Sequence, residues 1–126
     1  MFLTPMLREP SRQWSLVDAD TGTTVATHVE AAFDSRTRKK GLLGRSGLGT
    51  TSLIIAPCNA VHTFFMRFSI DVVFTDREGR VLKICADVRP WKIAAAWRGF
   101  AAIELEAGAA SRAGIGAGHS LAVIER

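Results

Sequence analysis

Residues 60–75 alternate in a way that suits an extended chain. Positions 64, 66, 68, 70, 72 and 74 are Phe, Met, Phe, Ile, Val and Phe, while 67, 69, 71 and 75 are Arg, Ser, Asp and Thr. A strand sends successive side chains to opposite faces, so this spacing builds one continuous apolar face, with His62 on it. Asp76-Arg77-Glu78-Gly79 follows as a four-residue turn, and Arg80 to Cys85 returns as a second strand. Counting out from that turn sets Thr75 against Arg80, Val73 against Leu82 and Asp71 against Ile84. Asp71 then lies among apolar neighbours, where a carboxylate is costly unless something donates to it. A backbone N–H, Arg67, Thr63 and His62 are the candidate donors. One unbroken strand would send His62 and Asp71 to opposite faces, whereas a break at Phe68-Ser69 would reset the parity and let them meet.

The rest of the chain is punctuated like a β protein. Gln13 to Val17 alternates and meets the turn Asp18 to Gly22, after which Thr23 to Phe33 runs β-branched and apolar, which reads as a hairpin. Ser52 to Ala56 is a short buried strand ended by Pro57, residues 99–106 form another, and Ser120 to Glu125 closes the chain after a glycine-rich stretch. Two short helices fit between them. One spans roughly 35–43, capped by Asp34 or Ser35, closed by Gly44 and anchored through Leu42 and Leu43; the other lies in the alanine-rich Ala107 to Ala113. Seven or eight short strands with close turns imply a mainly β fold, an antiparallel sandwich or distorted barrel with one or two short helices.

At 126 residues and 48% hydrophobic the chain is long enough for one cored domain, expected over 13–126. Residues 1–12, with two prolines and no sustained apolar run, read as a loose N-terminal arm. No secretory apolar region and no membrane span stand out, so a cytoplasmic location is expected for the chain as it stands, or a secreted or periplasmic one if an upstream signal has been removed. Cys58 and Cys85 are 27 positions apart with no Cys-x-x-Cys pairing, which suits two buried free thiols.

The net charge of +4 is local, since five of the 16 cations fall between Arg36 and Arg45. No aromatic platform is interleaved there and no phosphate loop follows a strand, so nucleic acid is not an expected partner. A solvated helix face, with Arg45 suiting the helix dipole, is the plainer account. His28, His62 and His119 are scattered without metal-ligand spacing, and no metal or cofactor is expected.

Two residue groups are candidates for function. The polar set is His62, Thr63, Asp71 and Glu104, with Met66 among them. A histidine beside a carboxylate can act as general base, so a hydrolase using His62 with Asp71 or Glu104 is one reading, although no Gly-x-Ser-x-Gly elbow is present. The plainer account is a buried polar pair that fixes strand register. The second group is a ligand groove formed by Arg38, Arg67, Trp91 and Trp97, since loops rich in tryptophan and cations line groove walls. Its plainer counterpart is a loop whose indoles cap the core. Binding of a small polar ligand, a glycan or a peptide is the first functional expectation. A hydrolase is second and a structural or protein-interaction module third, so whether the chain is an enzyme stays open.

The central segment His62-Thr63-Phe64-Phe65-Met66-Arg67-Phe68-Ser69-Ile70-Asp71-Val72-Val73-Phe74-Thr75-Asp76 resembles the core motif of domain-of-unknown-function family 192. Arg38 to Arg45 is similar to that family's Arg-x-x-Gly-Leu-x-x-Arg element, Pro90-Trp91 to its Pro-Trp element, and Leu105 to Gly108, with Glu104 nearby, to its Leu-Glu-x-x-x-Gly stretch. The resemblance runs from about Val25 to the end of the chain. Ser69 stands where the family usually has proline, and Phe65 is bulkier than the usual small residue. The resemblance implies a compact, mostly β domain with one or two short helices, and no particular reaction.

Overall fold

A computed structural model describes residues 1–126. The chain enters through α1 (Thr4–Arg8) and continues with β1 (Trp14–Asp18), β2 (Thr24–Ala26), β3 (His28–Ala32) and α2 (Ser35–Lys40). Then come β4 (Thr51–Ile55), β5 (Ala60–His62), β6 (Ile70–Thr75), β7 (Val81–Val88) and β8 (Ile93–Ala95). The chain finishes with β9 (Ala101–Glu106), α3 (Ala109–Ala113) and β10 (Leu121–Glu125). The fold is mainly β, as expected, and it is not a closed barrel. A five-stranded sheet of order β3-β4-β9-β6-β7 forms the centre, with a β10-β1-β2 sheet and a β5-β8 ribbon around it. All pairings are antiparallel except β3 with β4.

The central sheet is covered on both faces. Ile54, Val73, Ile103 and Leu105 face one core with Leu3, Leu16 and Leu121, whereas Leu53, Ile55, Val72, Phe74 and Ala102 face the other with Val61, Met66 and Ala94. Every residue of β6 is therefore buried, including Asp71 and Thr75, and the expected division into an apolar and a polar face does not hold. The alternation is real, but its polar side meets a second core, so Asp71 does lie among apolar neighbours, as the sequence implied.

The β6–β7 register also differs from that expected. Val73 pairs with Ile84 and Thr75 with Val81, and bulges fall at Phe74/Thr75 and Ile70/Val72. The cause lies in the turn. Asp76 Oδ1 accepts from the N–H groups of Glu78 and Arg80, both at 2.9 Å, and Arg80 bridges to Ser120. Arg80 thus leaves the position opposite Thr75, and Leu82, expected against Val73, gives that place to Ile84 and turns to solvent at 37% exposure.

Three further expectations change. Residues 1–12 are not loose: Leu3 and Met6 enter the core, and the Phe2 N–H donates to the Arg77 carbonyl at 2.9 Å. Helix α2 stops at Lys40 because Gly41 takes a φ of 47° there, so Leu42 is buried from a loop and Leu43 is exposed. Its N-cap is Asp34, whose carboxylate accepts from the Thr37 N–H at 2.8 Å. The break between β5 and β6 spans Thr63 to Ser69 and begins at Thr63, well before Phe68. The Thr63 carbonyl accepts from Met66 N–H, and Phe65 adopts a φ of 65°.

Candidate functional site

A cleft of about 420 Å³ lies between α2 and the segment running from β4 into β5. Its rim carries Arg38, Lys39 and Lys40, its walls Leu42, Ile55, Val61 and Met66, and Cys58, His62 and Glu104 complete the lining. Local sequence explains this shape. The early stop of α2 at Gly41 turns Leu42 inward, and Pro57-Cys58-Asn59 carries the chain out of β4 to the ribbon strand β5.

Glu104 is the unusual member. It sits on β9 opposite Leu53 and Val72, so its side chain leaves the sheet toward the core that also holds Met66 and Val61. It is 3% exposed, and no protein donor reaches its carboxylate. Burial pushes its pKa up to about 7, partly opposed by the charge of Arg45. A carboxyl in that range can donate or accept a hydrogen bond at neutral pH.

The neighbours are more restrained. Arg38 Nη1 donates to the Phe33 carbonyl at 2.7 Å, which holds the guanidinium at the edge of the cleft. The Cys58 thiol donates to the Ala60 carbonyl at 3.1 Å, and burial pushes its pKa up, so it is a packed thiol and not a poised nucleophile. Both cysteines are free and half-buried, less covered than the sequence suggested. His62 is exposed; its Nδ1 accepts from the Phe64 N–H at 3.3 Å, and its ring stacks on Phe64 at 4.8 Å. That leaves Nε2 as the nitrogen free to address a bound molecule.

Other candidate residues have structural work. Asp71 does not meet His62. Its Oδ1 accepts from Asp87 N–H at 2.9 Å and its Oδ2 from Gly108 and Ala110 N–H at 3.1 and 3.0 Å, so it ties β7 and the start of α3 to the sheet. Thr63 is buried, with its hydroxyl donating to the Arg89 carbonyl at 2.6 Å and accepting from Lys92 N–H at 2.9 Å. Of the expected groove only Arg38 lines the cleft. Arg67 is exposed on the β5–β6 connection, while Trp91 and Trp97, 58% and 91% exposed, stand outside it.

Lys39, Lys40, Cys58 and Asn59 are cleft residues that sequence reasoning missed as such. The charge run carried a signal for the two lysines; nothing local marked Cys58 and Asn59. No three His, Cys, Asp or Glu side chains gather as a metal set, and no helix is long and apolar enough to cross a membrane.

Two crystal structures share the fold. One, a protein of unknown function from Novosphingobium aromaticivorans DSM 12444, is 24% identical over 86% of this chain and 82% of that one, with a TM-score of 0.74. The other, from Sinorhizobium meliloti 1021 and described provisionally as a transcription regulator, is 22% identical over 87% of this chain and 91% of that one, with a TM-score of 0.76. At these identities the likeness shows the fold alone. Among curated proteins none is significantly similar to the chain. The profile of the DUF192 family, described as "Uncharacterized ACR", matches residues 17–123, which span nearly all the strands and the whole cleft, and the chain belongs to that family.

Proposed function

We propose that the protein binds a small polar ligand in the cleft beside α2, with Glu104 at its floor and Arg38, Lys39 and Lys40 at its mouth. The observation that carries this reading is the Glu104 carboxylate, buried, without a protein donor and facing the cleft. No protein group donates to this carboxyl, its oxygens are reached through the cleft, and a ligand hydroxyl or amine there would supply the missing partner. The three cations favour an anionic group at the other end of the same molecule. Amino acids, short peptides and sugar acids have that arrangement. The test is chemical-shift mapping with a panel of these compounds. Shifts at His62, Met66 and Glu104 that vanish in Glu104→Gln support the reading, and a panel that leaves the cleft resonances unmoved refutes it.

Hydrolysis is the second reading, favoured by one observation: His62 and Glu104 line the same cleft, and Glu104 titrates near 7, where a general acid or base works best. Asp71 has no part in it, because its oxygens are taken by three backbone N–H groups. Turnover of activated esters or glycosides that is lost in both His62→Ala and Glu104→Gln would favour hydrolysis over simple binding.

A further inference from the structure

The apolar side chains most exposed on this protein do not scatter. Trp97 is 91% exposed, Phe65 72%, Ile93 69% and Trp91 58%, and all four belong to the β5–β8 ribbon or the turns at its ends. In the ribbon His62 pairs with Ile93 and Ala60 with Ala95. Its inner face is buried through Val61 and Ala94, while Ala60, His62, Ile93 and Ala95 look outward. Nothing larger than alanine stands on that outward face between Ile93 and Trp97. At the opposite end the Trp91 ring packs on Phe65 at 4.6 Å and on Phe64 at 5.7 Å.

This end of the molecule is held rigidly in an unfavourable backbone conformation. Phe65 and Trp91 have φ values of 65° and 68°, which bulky residues rarely adopt. Thr63 pins both turns: its carbonyl accepts from the N–H groups of Met66 and Trp91, and its hydroxyl bonds Arg89 and Lys92. Strain of this kind persists where a projecting side chain has a use. Neither Phe65 nor Trp91 is used by the core.

Charge identifies the occupant. Residues 60–70 and 88–99 contain Arg67, Arg89, Lys92 and Arg98 and not one carboxylate; all four cations are exposed. Two carboxylates stand just outside these segments: Asp71, buried and held by three backbone N–H groups, and Asp87, 3.9 Å from the Arg89 guanidinium. Exposed tryptophan and aliphatic side chains among cations match the interface of a bilayer with anionic headgroups. A saccharide site would surround its rings with amide and carboxylate partners, and these two segments hold neither. The geometry points to a peripheral membrane-binding face, in which Phe65, Trp91, Ile93 and Trp97 enter the headgroup boundary of an anionic bilayer and Arg67, Arg89, Lys92 and Arg98 engage the headgroups. This face adjoins the cleft at Ala60 and His62, but the side chains proposed to enter the bilayer, Phe65, Trp91, Ile93 and Trp97, do not line it.

The test is cosedimentation of the full chain with phosphatidylcholine vesicles, with and without phosphatidylglycerol, at low salt. Binding is expected only to the anionic vesicles, with tryptophan emission quenched by brominated lipid. Phe65→Ser and Trp97→Ser leave the core untouched, and unchanged melting verifies that they fold. Each is expected to weaken vesicle binding about tenfold or more, and each of Arg67→Gln and Arg98→Gln about fivefold. Glu104→Gln should bind vesicles like the parent. No cosedimentation with anionic vesicles overturns the proposal. So does parental affinity in folded Phe65→Ser and Trp97→Ser, or binding without brominated-lipid quenching, which would mean charge adsorption alone. Retention on oligosaccharide resin or self-association, lost in Trp97→Ser without any vesicle binding, assigns the face to those partners instead.

Discussion

Asp18 and His119, 101 positions apart, close a hydrogen bond of 2.7 Å between Oδ2 and Nδ1. Asp18 ends β1 and is fully buried, and its other oxygen accepts from the Asp20 N–H, so the imidazole supplies the second partner the carboxylate needs. Gly116 lies against the ring, where a Cβ would come within 3.2 Å of Nε2. The contact fastens the loop before β10 to the end of β1.

That hydrogen bond raises the His119 pKa, helped by the charges of Asp18 and Asp20. The folded protein therefore holds the His119 proton more tightly than the unfolded chain does. The resulting stability is fully present below the ordinary histidine pKa of about 6.5 and is lost as pH rises through the folded value. Melting temperature should fall across that window in the parent, and more shallowly in His119→Gln. Parallel curves for the two proteins would refute the linkage.

Glu104 acts in a lower window. Its folded pKa of about 7, against 4.5 for an ordinary glutamate, means the native state binds more protons between those values. Stability then falls as pH rises from about 4.5 to 7 and levels off above. Glu104→Gln should remove this dependence and gain up to roughly 3 kcal/mol at pH 8. Urea unfolding of both proteins at several pH values measures it, and equal slopes would refute it.

Asp71 should matter for folding and not for ligand. Asp71→Asn turns one acceptor into a donor facing N–H groups, a loss of about 1–3 kcal/mol, and Asp71→Ala strands all three donors and should cost more. Chemical shifts caused by a cleft ligand should be unchanged in the folded Asn variant.

Leu3→Ala should destabilise by about 2–5 kcal/mol, the usual cost of emptying a core leucine site. A free arm would give no change in urea midpoint.

Gly79 has a φ of 86°, and an added Cβ would stand 2.4 Å from the Leu121 carbonyl oxygen. Gly79→Val should therefore cost at least about 2 kcal/mol, from left-handed strain and overpacking together. Calorimetry of the variant checks this, and an unchanged transition would refute the turn geometry.

What the sequence determined by itself is short-range. The alternation over 70–75, the turn at Asp76 to Gly79 and the Asp34 cap of α2 were all legible, because period, turn chemistry and capping involve residues a few positions apart. The family motif was legible for the same reason, as a contiguous pattern. Tertiary structure decided which surface each face meets. Asp71 was rightly read as a carboxylate in need of donors, but those donors come from 16, 37 and 39 positions away. Arg38 and the tryptophans were grouped into one groove by composition, and the fold sends Arg38 to the cleft and the indoles to the turns at either end of β8, outside it. Glu104 was singled out from the sequence as a site candidate, but its burial and missing donor depend on Leu53, Val72 and the early end of α2. Burial and electrostatic environment are properties of what packs around a residue, and in a sheet whose neighbours are drawn from the whole chain, no local window contains them.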